Sequence, residues 1–208
     1  MKLLASVISL SLVLTAGTAQ AADLATDIKA DYDQNLWTLF EYFHRNPELS
    51  TVETETARRM ADELRSAGFE VTEGVGGTGV VAMMKNGDGP TVMMRADMDG
   101  LPLQEKTGLE YASTKKQVDP ITGNEVYVMH ACGHDVHITS LVGTAHQMAK
   151  RKAEWSGTLM LVVQPAEERI MGARAMRDDQ IWKRFGQPDY ALAFHVSAQD
   201  VAGTINVS

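Results

Sequence analysis

Thr158-Leu159-Met160-Leu161-Val162-Val163, running straight into Gln164-Pro165-Ala166-Glu167-Glu168, decides the fold. A nearly unbroken apolar run has no polar face to give to water, so it fits a strand covered on both sides in a layered sheet. Upstream of it, Ile138, Leu141, Val142, Ala145, Met148 and Ala149 recur at helical spacing and predict a helix from about Asp135 to Lys152. Downstream, the pattern predicts a helix over roughly Ala173 to Lys183, a strand over Tyr190 to Phe194 and a last strand near Thr204 to Val207.

The front of the chain extends the alternation. Leu36, Leu39, Phe40 and Phe43 belong to a helix from about Leu24 to His44, ended by Asn46-Pro47. A second helix starts near Ser50-Thr51, where Ser50 and Glu53 have capping-box spacing, and stops at Gly68. Phe69 to Thr72, Gly79 to Met84 and Thr91 to Ala96 read as strands. The Asn86-Gly87-Asp88-Gly89 turn predicts that the last two form a hairpin. Ala112 to Glu125 reads as a polar surface loop, and Val126 to Met129 as a short strand. The expected fold is therefore a layered α/β domain with a mixed central sheet.

Lys2, the apolar stretch Leu3 to Ala16 and the Ala19-Gln20-Ala21 cleavage pattern make residues 1–21 a signal peptide, with residues 22–208 the domain behind it. The expected location is the periplasm or the medium, with no membrane attachment after cleavage. A net charge of −8 argues against nucleic acid or an anionic membrane as partner. Cys132 is the one cysteine, so the chain holds no internal disulfide. Its thiol is inert, intermolecular or a ligand.

Four polar clusters follow strand candidates: Asp97-Met98-Asp99, His130 to Asp135, Glu167-Glu168, and His195. In open α/β sheets ligands bind beyond the carboxyl ends of the strands, so one sheet can bring all four together. Cys132 and His134 flank a glycine that permits a sharp turn, and both suit a borderline-soft divalent ion. Taken alone, a C-x-H pair is more often a buried thiol beside a surface histidine. Two adjacent carboxylates at the end of a buried strand repel unless a cation or proton compensates; a solvated helix start is the alternative. The simplest reading gives one to a metal and leaves the other to accept a proton from water. His195 is either a satisfied polar residue or a fourth ligand. Asp97 and Asp99 are ligands or, preferably, acceptors that orient a histidine. His137 is read as helix surface or as support for a ligand, and His44 and His146 as structural.

Phe43 to Ser50 (FHRNPELS), Arg95 to Pro102 (RADMDGLP), Met129 to Asp135 (MHACGHD), and Gln164 to Glu168 (QPAEE) with Gly172 to Met176 occur in that order. This set resembles subfamily D of the M20 metallopeptidases, the hippurate and N-acyl-amino-acid amidohydrolases. The resemblance implies that Cys132, His134, Glu168 and His195 bind metal and that Glu167 is the catalytic base. Two divalent ions, zinc or manganese, are implied, as is a small N-acyl amino acid or peptide-like substrate. It also implies about twice this length, with a lid and dimerisation domain starting near Ser208, a homodimer, and a further histidine ligand from the second half. Two other readings stay open: a metal-binding segment without turnover, and Cys132 as a nucleophile with a histidine base. Bound metal separates the last from the others.

Overall fold

The computed structural model describes residues 23–207. The signal-peptide reading of residues 1–21 lies outside them. The first helix, α1, covers residues 23–31, passes through a π-helical turn at Tyr32–Leu36 and ends as Trp37–Arg45. Then come α2 (Thr54–Ser66), β1 (Glu70–Val75), β2 (Gly79–Asn86) and β3 (Thr91–Asp97). A small ribbon of β4 (Lys116–Val118) and β5 (Glu125–Tyr127) precedes α3 (His134–Lys150) and β6 (Gly157–Gln164). Two short helices, α4 (Gly172–Asp178) and α5 (Ile181–Phe185), lead to β7 (Tyr190–Ala193). No described helix is long and apolar enough to cross a membrane.

The main sheet has the order β1-β2-β6-β3-β7. β6 is its centre, antiparallel to β2 and parallel to β3, and β7 extends the parallel side. The apolar run of β6 is explained by cover on both faces. Leu159, Leu161 and Val163 pack with Val80, Ala82 and Met84 against α1, α2 and α3. Met160 and Val162 turn to the other side, with Val81, against Met176 of α4 and Ile181 of α5.

Several sequence expectations change. β2 and β3 do not pair; β6 lies between them, with Asn86 opposite Gly157 and Thr91 beside Thr158. The glycine-rich turn is thus a step across one strand. Asn86 holds the incoming chain by donating from Nδ2 to the carbonyls of Lys152 (2.7 Å) and Trp155 (2.6 Å). The real hairpin is β1–β2. Ser50 and Glu53 form no capping box. The Glu48 carboxylate caps α2 instead, accepting from the Thr56 amide at 2.7 Å and its hydroxyl at 2.8 Å. The predicted loop at Ala112 to Glu125 contains β4 and the start of β5, and the helix expected over Ala173 to Lys183 breaks at Gln180, whose φ is +59°. Residues 204–207 form no strand; Ile205 and Val207 are exposed and pair with no described strand.

Candidate metal centre

Because β3, β6 and β7 are parallel, their carboxyl ends open on one edge of the sheet. Asp97 ends β3 in register with Gln164, the last residue of β6. Beyond that edge come Asp99 from β3, Glu167 and Glu168 from β6, and His195 from β7. α3 begins at the same place with His134, preceded by Gly133 at φ +83°. A Cβ at Gly133 would sit 2.4 Å from Cγ2 of Val196, so glycine is needed both for the backbone and for the packing of the His195 segment against the Cys132-Gly133-His134 turn.

His134, fully buried, is the hub. Its Nε2 lies 3.8 Å from Glu167 Oε2, 3.8 Å from Glu168 Oε1 and 3.7 Å from Asp97 Oδ2; its Nδ1 lies 3.3 Å from Asp99 Oδ1. The donor atoms of Cys132, His134 and His195 all lie within 4.8 Å of one another, and so do those of His134, Glu167 and Glu168. The expected ligands, with the expected base Glu167, thus meet as two overlapping triads that share one imidazole, and Asp97, His134 and His137 form a third around it. Cys132 Sγ is 3.4 Å from Nε2 of His195, whose Nδ1 proton goes to the Val196 carbonyl at 2.6 Å. That tautomer aims the free Nε2 lone pair into the cluster.

The two acids expected to support a histidine do more than that. Asp99 accepts the Glu167 amide on Oδ1 and the Glu168 amide on Oδ2, each at 3.0 Å, and the Ser50 hydroxyl at 2.6 Å. Asp97 meets Arg95 Nη1 at 2.6 Å and accepts a proton from His137 Nδ1 at 2.6 Å. Val196 donates its amide to Nε2 of His137 at 3.1 Å. Both nitrogens of this buried ring are therefore engaged, so His137 ties β3 to the His195 segment and is not helix surface. His44, read as structural, is a buried strut between Asp135 (2.7 Å) and Glu105 (3.1 Å), and His146 pairs with Asp31 at 2.9 Å.

Ser50, Glu53 and Arg95 were missed as site residues. The first two have capping-box spacing, which offers a sufficient local explanation, and nothing local reveals that they turn inward. Glu53 accepts the amides of Thr51 (3.0 Å) and Ala166 (2.8 Å) on one oxygen and the Thr78 hydroxyl on the other.

The electrostatics favour a cation. Burial opposes ionisation of Asp97, but the His137 hydrogen bond and the His134 and Arg95 charges outweigh it and hold the carboxyl at about 2. Burial likewise opposes Asp99, yet His134, Ser50 and the Glu168 and Glu167 amides keep it below its ordinary value. Burial pushes the Cys132 thiol up to about 11, and the Glu168, Glu167 and Asp97 carboxylates add to the push. Glu168 is raised by burial. Nε2 of His134 and Oε1 of Glu168 face each other, buried and without hydrogen-bond partners among the described residues. Two such orphaned groups are costly unless something bridges them. Their separation is close to what two bonds of about 2 Å to one ion span. The donor set fits a divalent metal.

A layered α/β sheet with soft and hard donors converging at its carboxyl edge, and acids beside them, defines a metallopeptidase-type domain. The chain belongs to Peptidase family M20/M25/M40, whose profile matches residues 93–208. It is 44% identical over 153 residues to the hippurate hydrolase of Campylobacter jejuni, covering 73% of this chain and 37% of that protein. It is 43% identical over 133 residues to the N-acetylcysteine deacetylase of Bacillus subtilis, covering 63% and 32%. Among solved structures, the Bacillus subtilis YxeP protein, a dinuclear metal binding peptidase of the M20 family, superposes with a TM-score of 0.70 at 34% identity, covering 81% of this chain and 44% of that one. The chain spans less than half the length of these relatives.

Proposed function

We propose that this chain carries the metal-binding core of an amidohydrolase that cleaves the amide bond of small N-acyl amino acids or peptide-like substrates. Cys132, His134, Glu168 and His195 would hold divalent metal, zinc or manganese and two ions in the complete centre. The carrying observation is the pair of overlapping donor triads around His134. The names of the similar proteins, a hippurate hydrolase and an N-acetylcysteine deacetylase, support this substrate class.

Bound metal would supply Lewis acidity for the amide carbonyl and lower the pKa of a water. The protein's own residues do the rest. Glu167 has no hydrogen bond tying down its carboxylate among the described residues, and its side chain is 38% exposed, so substrate and water can reach it. It takes the proton from the attacking water and returns it to the leaving nitrogen. Asp99 fixes the backbone of both glutamates and faces His134. The elevated Cys132 thiol argues against a nucleophilic role, since burial, reinforced by the carboxylates around it, disfavours a thiolate in the absence of a cation. The Ala19-Gln20-Ala21 pattern supports export to the periplasm or medium, and the family resemblance supports a homodimer for the complete protein, with neither nucleic acid nor membrane as partner.

Purified without chelator, the protein should contain stoichiometric divalent metal and hydrolyse an N-acyl amino acid. Chelation should abolish turnover, metal should restore it, and Glu167→Gln should bind metal without turning over. Full turnover after complete metal removal would refute the proposal. A second reading, metal binding with little turnover by these 208 residues alone, is favoured by the open edge of the sheet at β7, where Tyr190 and Leu192 are exposed. The same assay decides it.

A further inference from the structure

Three consecutive amides, those of Ala166, Glu167 and Glu168, end on two buried carboxylates. Asp99 takes the second and third, and Glu53 takes the first. We infer that Glu53 is a positioning residue for the Glu167–Glu168 pair, holding the backbone from which both glutamates project. This rests on the functional reading above.

Glu53 is wholly buried, and among the described residues no cation pairs with it. A carboxylate in that position is costly unless its lone pairs are filled. All its side-chain bonds point away from α2: Oε1 accepts from Thr51 and Ala166, and Oε2 from the Thr78 hydroxyl. It starts α2 only through its main chain, whose carbonyl accepts the Ala57 amide at 2.9 Å. Helix capping therefore does not account for the acid.

The target of that acid is a strained residue. Ala166 has φ +46°, the left-handed region that side chains disfavour. Such a conformation persists only when its surroundings over-determine it. Here the amide of Ala166 is held by Glu53, while its carbonyl accepts from Met171 (3.1 Å) and Gly172 (3.2 Å). Gly172 is obligatory in this loop, since a Cβ there would lie 1.6 Å from the Pro165 carbonyl oxygen. Without Glu53 the Ala166 amide has no acceptor, and the left-handed turn loses one of its anchors. Glu168, next but one along the chain, would then lose its placement opposite His134. Glu53→Gln keeps the function, because its amide oxygen can take both backbone protons and its NH2 can donate to Thr78.

The test is cobalt binding by the full chain. Absorption follows the thiolate-to-cobalt band from Cys132, competition with a chelator gives affinity, and hydrogen exchange is read at Ala166 and at Val163 in β6. Glu53→Ala and the shorter Glu53→Asp should deprotect Ala166 while leaving Val163 protected. They should weaken cobalt binding about ten- to a hundredfold, as loss of a ligand's support does, yet keep the thiolate band, because Cys132 is on another segment. Glu53→Gln should match wild type. If Glu53→Ala does not fold, Glu53→Asp carries the test. A folded Glu53→Ala or Glu53→Asp protein with wild-type affinity would overturn the inference alone, as would a loss of stability with cobalt binding intact. A wild-type chain that takes up no cobalt would remove the metal reading and this inference with it.

Discussion

Replacing Asp99 by Asn leaves the shape of the side chain and changes only what it can accept. Asp99 is 1% exposed, and its two oxygens serve the Glu167 and Glu168 amides at 3.0 Å each and the Ser50 hydroxyl at 2.6 Å. With one oxygen replaced by NH2, one of the two amides must face a donor. A buried amide without an acceptor costs about 1–3 kcal/mol, and each remaining bond drops from charge-assisted to neutral, about 1 kcal/mol apiece. Removing a buried negative charge offsets part of this, leaving a net loss of about 2–3 kcal/mol. For a domain of this size that lowers Tm by about 5–10 °C. Because Asp99 also faces Nδ1 of His134 at 3.3 Å, metal affinity should fall about ten- to a hundredfold. Thermal unfolding monitored by circular dichroism in excess chelator isolates the first effect, and chelator competition measures the second. An Asp99→Asn protein that melts with wild type in chelator would refute the assignment of Asp99 as anchor of the glutamate loop.

Other expectations follow from single contacts. Gly133→Ala forces a side chain into φ +83° and against Val196, so it should cost about 1–3 kcal/mol and weaken metal binding; an unchanged Tm and affinity would contradict the interlock of the two segments. Cys132→Ser in the cobalt form should abolish the thiolate charge-transfer band and lower affinity, whereas a purely nucleophilic Cys132 would leave cobalt binding unchanged. Burial opposes protonation of His44, but the Asp135 hydrogen bond, the leading influence, together with Glu105, raises its pKa above 6.5. Its contribution to stability is therefore complete below about 6.5 and lost as pH rises through the raised folded value. Burial opposes ionisation of Glu105, but its hydrogen bonds lower its pKa below 4.5, so that contribution disappears as pH falls through the lowered value. A His44→Gln variant should flatten the alkaline side of the Tm–pH profile; an unaltered profile would show that the strut is not coupled to folding.

The parts of this fold that were legible in the sequence have causes confined to one segment. β6 reads as a central strand because both its faces are covered, which leaves no polar position from Leu159 to Val163. The hairpin expected at Asn86-Gly87-Asp88-Gly89 failed because turn chemistry reports where a chain bends and not which strand enters beside it. Here that is settled by Asn86 gripping the residues that precede β6. The same division runs through the site. Cys132, His134, Glu167, Glu168 and His195 each have a local alternative in sequence and become conspicuous only together, because all follow strand candidates that one sheet can align. Ser50, Glu53 and His137 were obscured because each has an adequate local explanation, a cap or a helix face, and the real partner of each lies about 40 or more positions away.

That contrast has a physical basis in how the site divides its work. Asp97, Asp99 and Glu53 are each at most 1% exposed, and every one is fixed by hydrogen bonds to backbone, hydroxyl or imidazole partners, with an Arg95 ion pair added at Asp97. They hold other groups and need no access to solvent. Glu167, Cys132 and His195 sit at the rim, with fewer such ties and open to solvent, around the enclosed imidazole of His134. In the glutamate loop rigidity is therefore supplied from below by Glu53 and Asp99 acting on backbone amides, and the side chains of Glu167 and Glu168 project from that fixed backbone. Such a division lets acids of one sign crowd together without collapse, since the buried ones are neutralised by donors on the protein while only the outer ones remain to bind a cation.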